Sequence, residues 1–460
     1  MRGLRLIHTH LNEESLTQDD LTDLALLRLD LLVAIGVRNG LPGNLFAAHL
    51  MPAGAKPFEI LSEQNFHNFE MDFSAFIRSL EEEMERNRLF SPQDSRERAI
   101  LVSVSTMPRY EQEDSLEELK ELARSSEVLV LDAVIQRPKG INPRYLIGEG
   151  KIRELVINAL NKGATLLIFD QELSPSQVKA IGELTELKVI DRSQLILDIF
   201  ARRAQSRDGK VQVELAQLKY RLPRLTGKGT VMSRLMGGIG GRGPGEMKLE
   251  IDRRRVRDRI TLLEKELKSL REARKQRKQR RVAAGLPIVS IIGYANAGKS
   301  TLLNSLTKSF VLAEDKLFAT LDTASRRLRF PRERDVIITD TVGFIRDLPK
   351  DLMAAFRATL EELEDADLLL HLVDASNPRF EQHIEAVENI LRELNLSEKN
   401  RLLVLNKIDR IDSQEAINIA LRYNAVAVSA LDSSTLGPLL RALEETIWTE
   451  KMAGQSGHLI

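Results

Sequence analysis

Cysteine is absent from all 460 residues, which excludes disulfides, thiolate zinc sites and cysteine nucleophiles. Net charge is absent too, because 67 Lys and Arg balance 67 Asp and Glu. The chain as a whole is therefore no polyanion binder, although a local basic region can still be one. The first fifteen residues, MRGLRLIHTHLNEES, lack an apolar core followed by a small-residue cleavage site, so no secretion signal is expected. A membrane span is lacking as well. The most apolar stretch, residues 21–37, carries Asp23, Arg28 and Asp30 and falls short of the roughly 20 clean residues a span requires. It is expected to be an amphipathic core helix, and the protein to be cytoplasmic.

What is present divides into several regions, and the length admits two or three domains. Residues 1–95 read as an α/β module in which Phe66, Phe69, Phe73 and Phe76 match helical spacing. They suit a core, and no chemistry is assigned to this region. Residues 96–192 alternate strand and helix patterns: strands at 99–105, 127–135 and 165–170, helices at 116–122 and 151–160, and a helix start at Ser174 and Pro175. Such alternation predicts a small parallel sheet covered by helices.

Residues 193–284 read as two long helices, 195–222 and 246–281, joined by the glycine-rich TGKGTVMSRLMGGIGGRGPGE. This predicts a helical hairpin whose tip cannot bury an apolar face. The second helix is strongly basic, with Arg253, Arg254, Arg255, Arg257 and Arg259 at one end and Arg271, Arg274, Lys275, Arg277, Lys278, Arg280 and Arg281 at the other. Asp258, Glu264, Glu266 and Glu272 can neutralise only part of it, so contact with nucleic acid is expected.

Residues 285–450 carry the strongest signal. The apolar run 287–292 feeds into Gly293, Tyr294, Ala295, Asn296, Ala297, Gly298, Lys299 and Ser300, a G-x-x-x-x-G-K-[ST] loop, and a helix pattern follows at once. Glycines let backbone N–H groups turn inward around phosphates, and the helix N-terminus adds positive potential. Lys299 then neutralises β/γ-phosphate charge, and Ser300 can ligate Mg2+. A second strand, 336–339, ends in Asp340, Thr341, Val342 and Gly343. There Asp340 can hold Mg2+ through water and the Gly343 amide can bond the γ-phosphate. A third strand, 368–373, is followed by a fourth, 402–405, which ends in Asn406, Lys407, Ile408 and Asp409.

Asp409 can accept from the ring N–H and exocyclic amine of guanine. Adenine lacks that donor pair and leaves the carboxylate unpaired, at a cost of about 1–3 kcal/mol, roughly tenfold to hundredfold in preference for GTP. Strand 426–428 runs into Ser429, Ala430 and Leu431, where a backbone amide can meet guanine O6. Between the first two motifs lie Phe318, Ala319, Thr320, Leu321, Asp322 and Thr323. Thr320 is the candidate that completes the Mg2+ shell and senses the γ-phosphate, with Thr323 the alternative. Lys299, Thr320 and Gly343 are the candidate catalytic groups.

Hydrolysis is less well supplied. After Asp-x-x-Gly many GTPases carry a glutamine that orients the attacking water; here that position is Phe344. Arg326 and Arg327 remain open as arginine fingers. Slow intrinsic turnover is expected, rising when a partner or a monovalent cation supplies the missing group. Asn296 is of a type that helps hold K+ near the phosphates.

Taken together, the chain resembles the HflX GTPases, of the translation-factor-related class. The resemblance rests on DRSQLILDIFARRA at 191–204, VQVELAQL at 211–218, LPRL at 222–225, GEGK at 148–151, LSPSQ at 173–177, the GGIGGRGPGE loop, FATLD and DTVGF, and it covers residues 96–447. It implies an α/β fold with an N-terminal α/β domain (96–192), a helical linker (193–284), a P-loop GTPase domain with a mostly parallel doubly wound sheet (285–450) and a tail (451–460). It also implies GTP and GDP as ligands, Mg2+ as cofactor, and binding to the large ribosomal subunit and its RNA. Rescue of stalled ribosomes or subunit separation is the implied role, and a monomer is expected. The family's N-terminal domain has been associated with ATP; Gly148, Gly150 and Lys151 could touch phosphate, although a lone G-x-G-K is weak. Two departures stand out: the first 95 residues exceed shorter members, and MAGQSGHLI follows soon after the last G-domain helix, so a C-terminal domain that some members have is expected to be absent or vestigial here. Rival readings are a tRNA-modifying GTPase, which typically needs a reactive cysteine, and a stress or cell-division signalling GTPase, which leaves the basic helix unexplained.

Overall fold

The computed structural model describes residues 4–11, 13–27, 29–51, 58–86, 96–185, 187–225, 244–283, 286–307, 317–318, 324–330, 335–346 and 363–456. The chain forms two compact units, Met1–Arg192 and Ser193–Ile460.

The first unit holds two sheets. In one, β1 (Arg5–His10) lies parallel to β2 (Leu31–Arg38), and β2 pairs antiparallel with β3 (Leu41–Leu50). Asn39 and Gly40 join them, both with positive φ (53° and 78°), as a two-residue hairpin turn requires. Short strands β4 (Phe58–Ile60) and β5 (Gln64–Asn65) complete the sheet beside β3.

Here the expected helix over 21–37 is corrected. Helix α1 (Gln18–Leu26) takes only its first part and β2 takes the rest. Asp30, fully buried, stands between them and accepts the Leu4 N–H at 3.2 Å. Periodicity cannot separate a short, continuously apolar strand from a buried helix, and Val33, Ile35 and Val37 carry the branching that favours the strand. Likewise Phe73 and Phe76 lie on α2 (Phe73–Arg86), whereas Phe66 opens a short 3-10 turn and Phe69 is extended.

The second sheet follows the expected alternation. Strands β6 (Arg98–Val104), β7 (Leu129–Gln136), β8 (Leu166–Phe169) and β9 (Lys188–Asp191) stack all-parallel in the order β7-β6-β8-β9. Helices α3 (Arg109–Ser125), α4 (Glu149–Asn161) and α5 (Pro175–Gly182) connect them. The α5 start is a capping box, with Ser174 Oγ accepting from Gln177 N at 3.2 Å and Gln177 Oε1 accepting from Ser174 N at 2.9 Å. Buried Arg192 closes this sheet's helix layer by donating to Asp170 (2.9 Å) and Glu118 (2.6 Å).

In the second unit the first expected long helix is interrupted, a second correction. Helix α6 (Arg192–Arg203) stops, and α7 (Arg207–Arg221) starts afresh where Ser206 Oγ accepts the Gly209 N–H at 2.9 Å. A serine cap of this kind competes with helix continuation. Helix α8 (Pro244–Ala283) packs on α7 through Val211 and Leu215 and through Leu263 and Leu267, each pair four residues apart. Arg259–Glu214 and Arg207–Glu266 pairs, each with a 2.7 Å contact, flank that seam. Part of the basic helix is thus neutralised by α7, while Arg254, Arg255 and Arg257 stay exposed. The tip, 226–243, lies outside the described residues.

The remaining sheet positions the site. Its strands are β10 (Ile288–Gly293), β11 (Ala324–Arg329), β12 (Asp335–Asp340), β13 (Leu368–Asp374), β14 (Arg401–Asn406) and β15 (Val426–Ala427). The order is β11-β12-β10-β13-β14-β15, parallel throughout except for the antiparallel edge strand β11. Helices α9 (Lys299–Thr307) and α12 (Leu436–Ser456) cover one face, and α10 (Phe380–Glu393) and α11 (Ser413–Tyr423) the other. The sheet is doubly wound, and the chain order reverses at β10, between β12 and β13. Ligands in such sheets sit at that switch point, beyond the carboxyl ends of the strands. Among the described residues no helix is long and apolar enough to cross a membrane.

Candidate functional site

Four of the five sequence motifs leave neighbouring carboxyl ends of this sheet, so separations of more than a hundred residues collapse to hydrogen-bond distances. Residues 293–300 form the loop from β10 into α9. Asn296 takes a left-handed φ of 63°, which asparagine tolerates. Gly298 has φ 91°, and a Cβ there would lie 2.4 Å from Asn406 Nδ2, so no other residue fits this close approach.

Asn406 is the brace. Its Nδ2 donates to Ala297 O (2.8 Å) and its Oδ1 accepts from Ala430 N (2.9 Å). One side chain thereby ties the phosphate-type loop to the Ser429–Ala430 turn. Lys407, also left-handed (φ 63°), donates to Asn296 O at 2.9 Å and pairs with Asp374 at 2.8 Å. Asp409 is exposed, and its Oδ1 accepts from Ser429 Oγ at 2.6 Å. That bond fixes one oxygen of an otherwise exposed carboxylate. Ile408 is half-buried in the intervening 3-10 turn, and Leu431 is 76% exposed at the rim.

Ser300 Oγ donates to Asp340 Oδ2 at 2.6 Å, with Asp340 fully buried at the end of β12. A hydroxyl and a carboxylate converging in this way form the hard oxygen set that suits Mg2+. Thr341 Oγ1 donates to Ile291 O at 2.7 Å, and Val342 is buried. Phe344 is buried at 2% exposure. Its backbone bridges the loop: Phe344 N donates to Gly293 O (3.1 Å) and Ala295 N to Phe344 O (2.6 Å). Gly343 therefore lies against Ala295 and Lys299. Ala319, Thr320, Leu321, Asp322 and Thr323 lie outside the described residues, while the buried Phe318 ring packs on Phe200 with centroids 4.6 Å apart. Arg327 bonds Asp335 at the start of β12, five residues and roughly 17 Å of strand from Asp340.

Lys299 is 7% exposed and donates to Gly293 O (3.3 Å) and Tyr294 O (2.9 Å). Burial depresses its pKa to about 8; Lys407 adds to the depression and Asp340 opposes it. A polyphosphate placed on this ammonium favours the charged form and raises the pKa again, so binding above pH 8 requires proton uptake. GDP affinity is accordingly expected to be flat up to about pH 8, then to fall by up to about tenfold per pH unit. Titrations at pH 7, 8 and 9 check this, and a constant Kd would count against it. Stability of the nucleotide-free protein has the opposite sign. The unfolded lysine titrates near 10.5, so the unfolded state holds more protons between pH 8 and 10.5, and Lys299 adds stability as pH climbs through that window.

Sequence reasoning missed several members of this site. Asp374, at the end of β13, was visible as an acid beside the Asn406–Asp409 strand end. The Tyr294–His383 stack, at 3.9 Å and 2°, had no local signal. Tyr294 is pinned further by Arg346 N, which donates to its hydroxyl at 2.9 Å.

A doubly wound sheet with a G-x-x-x-x-G-K-[ST] loop at its switch point, a strand-end Asp-x-x-Gly and a braced Asn-Lys-x-Asp defines a P-loop GTPase that binds guanine nucleotide. Three family models match: "GTP-binding GTPase N-terminal" over residues 113–201, "GTP-binding GTPase Middle Region" over 203–281 and "50S ribosome-binding GTPase" over 288–407. The chain is 48% identical over 355 residues to GTPase HflX of Caldanaerobacter subterraneus, covering 77% of this chain and 82% of that one. It is 43% identical over 374 residues to GTPase HflX of Escherichia coli K12, covering 80% and 85% respectively. The chain belongs to the HflX family of GTPases.

Proposed function

We propose that this chain binds the large ribosomal subunit and its RNA, and that the subunit stimulates a GTPase that is slow on its own. The observation that carries the reading is Phe344. Where a water-orienting glutamine would stand, this chain has a buried aromatic ring whose backbone is tied into the phosphate loop. A phenyl ring neither donates nor accepts the hydrogen bond that positions water, so an outside group has to supply it. The "50S ribosome-binding GTPase" description of the matched family model and the exposed Arg254, Arg255 and Arg257 on α8 favour a ribosomal source for that group.

In this reading Gly293, Tyr294, Ala295, Asn296, Ala297, Gly298, Lys299 and Ser300 cradle the phosphates, and Lys299 compensates charge on the β/γ-phosphates. Ser300 and Thr320 would hold Mg2+, with Asp340 acting through water, and the ion would supply charge neutralisation at the phosphates. Gly343 N–H meets the γ-phosphate. Asn406, Lys407, Ile408 and Asp409, with Ser429, Ala430 and Leu431, hold the guanine. Asn296 is the group that would help hold K+. The work is done by binding and conformational change, in rescue of stalled ribosomes or separation of subunits, by a cytoplasmic monomer. The domain plan is 1–95, 96–192, 193–284, 285–450 and 451–460.

The test is GTP turnover with and without purified large subunits in K+ buffer. A rise of about tenfold or more is expected, well inside the effect of about 10³–10⁵ at most that a supplied group has in GTPases. Unchanged turnover together with failure to co-sediment would overturn the ribosomal reading and leave the GTP site intact.

A further inference from the structure

The N-terminal sheet carries a cluster that the GTPase reading does not use. His8 and His10 lie two apart on the edge strand β1, so both imidazoles share one face. Asp20, in the first turn of α1, meets them. His8 Nε2 lies 2.9 Å from His10 Nε2 and 3.2 Å from Asp20 Oδ1, and His10 Nε2 lies 3.5 Å from Asp20 Oδ2. We propose that His8, His10 and Asp20 form a binding site for a divalent transition metal of the zinc class.

The tautomer argues for it. His10 Nδ1 lies 2.8 Å from Glu14 O. A carbonyl only accepts, so Nδ1 carries the proton and neutral His10 turns a bare Nε2 lone pair toward His8 and the carboxylate. A metal-binding histidine is held in the same way, its second nitrogen donating to a carbonyl. Asp20 is fixed as well, its Oδ2 accepting from both Thr17 N and Thr17 Oγ1 at 2.7 Å. His8 Nδ1 is buried with no hydrogen-bond partner among the described residues.

Dimensions agree. Zinc–ligand bonds of about 2.0–2.1 Å set tetrahedral ligand atoms about 3.3–3.4 Å apart; the two imidazoles approach Asp20 through different carboxylate oxygens, and one ligand atom from each residue can be chosen with all three within 4.8 Å of one another, a spread that side-chain rotation can close. The connecting loop is anchored independently. Glu13 Oε1 accepts from Asn44 N at 3.2 Å and sits where a Cβ on Gly43 would meet it at 2.4 Å. Nitrogen donors disfavour Mg2+ and Ca2+, which take oxygen sets. Side-chain exposures of 28%, 12% and 17% leave one side open to water. Three protein ligands plus water is the pattern of zinc sites that act on a ligand rather than only hold a fold.

The experiment uses the full chain, freed of metal by chelator dialysis and kept in saturating Mg2+ and GDP so that the nucleotide site is filled. Zn2+ is titrated in competition with a chromophoric chelator, and Co2+ replaces it for visible spectroscopy. One equivalent is expected with Kd below about 1 µM, together with the d–d bands of four-coordinate Co2+. His10→Ala and Asp20→Asn should each weaken Zn2+ binding by about a hundredfold or more. Thr17→Val, which touches no metal, removes the hydroxyl bond to Asp20 and leaves the backbone bond, and should cost about 10-fold or more by loosening the carboxylate. Circular dichroism checks the fold of each variant, and the wild-type Co2+ spectrum needs no variant at all. Absence of those bands, or Zn2+ affinity that all three folded variants leave unchanged, would sink the proposal.

Discussion

Lys299→Met is expected to weaken GTP and GDP binding by about a hundredfold to ten-thousandfold while leaving the nucleotide-free protein as stable as before or more so. The first half follows from two charge-assisted bonds to phosphate oxygens, each contributing about 1.5–3 kcal/mol. The second follows from burial. At neutral pH the ammonium is held charged in a site that lowers its pKa from 10.5 to about 8, an adverse contribution on the order of 3 kcal/mol. Methionine fills a similar volume without that charge. Against the gain stand the two carbonyls of Gly293 and Tyr294, which lose a donor at about 1 kcal/mol each. Fluorescent-nucleotide titration and thermal melting read the two halves separately. Retained nucleotide affinity would remove Lys299 from the phosphate site, and a large fall in melting temperature would show its role to be structural.

Asp409→Asn should exchange the base preference. Guanine presents a ring N–H and an amine, both donors to a carboxylate; the carboxamide keeps one acceptor and turns a donor against the amine. GTP affinity is expected to fall about hundredfold or more, since a charged hydrogen bond is lost and a donor–donor clash replaces it. Xanthine carries a carbonyl in place of that amine, so XTP should bind the variant better than GTP does. The fold should be unaffected, because Asp409 is exposed and its Ser429 partner, at 2.6 Å, can still donate to the amide oxygen. Competition between GTP and XTP on both proteins decides the matter, and an unchanged GTP:XTP ratio would mean that Asp409 does not read the base.

The candidate nucleotide site was legible in the sequence for a physical reason. Each motif is a run of adjacent residues at a strand end, where a glycine, a lysine or an aspartate performs its task largely through its own backbone turn. The G-x-x-x-x-G-K-[ST] loop and the strands at 288–293, 335–340, 368–374 and 401–406 are local patterns of this kind. So were the parallel strands of the second sheet and the Ser174 cap.

Other features depend on residues far apart in the chain. The sequence by itself determined the GTPase class, and it named Asp409 as the candidate base-reading carboxylate and Phe344 as the residue standing where a glutamine is common, because each reading rests on side-chain chemistry within a short local motif. Only the tertiary structure decided that residues 21–37 divide into helix and strand, since burial of Asp30 and pairing with β1 and β3 override a pattern that either element could produce. It alone made Asn406 a brace across 109 residues to Ala297. The H-x-H spacing of His8 and His10 was visible from the start. Its meaning was not, because Asp20, held locally by Thr17, reaches the same face only on a loop whose Glu13 docks on the β2–β3 hairpin, a contact that forms only when distant backbone closes around it.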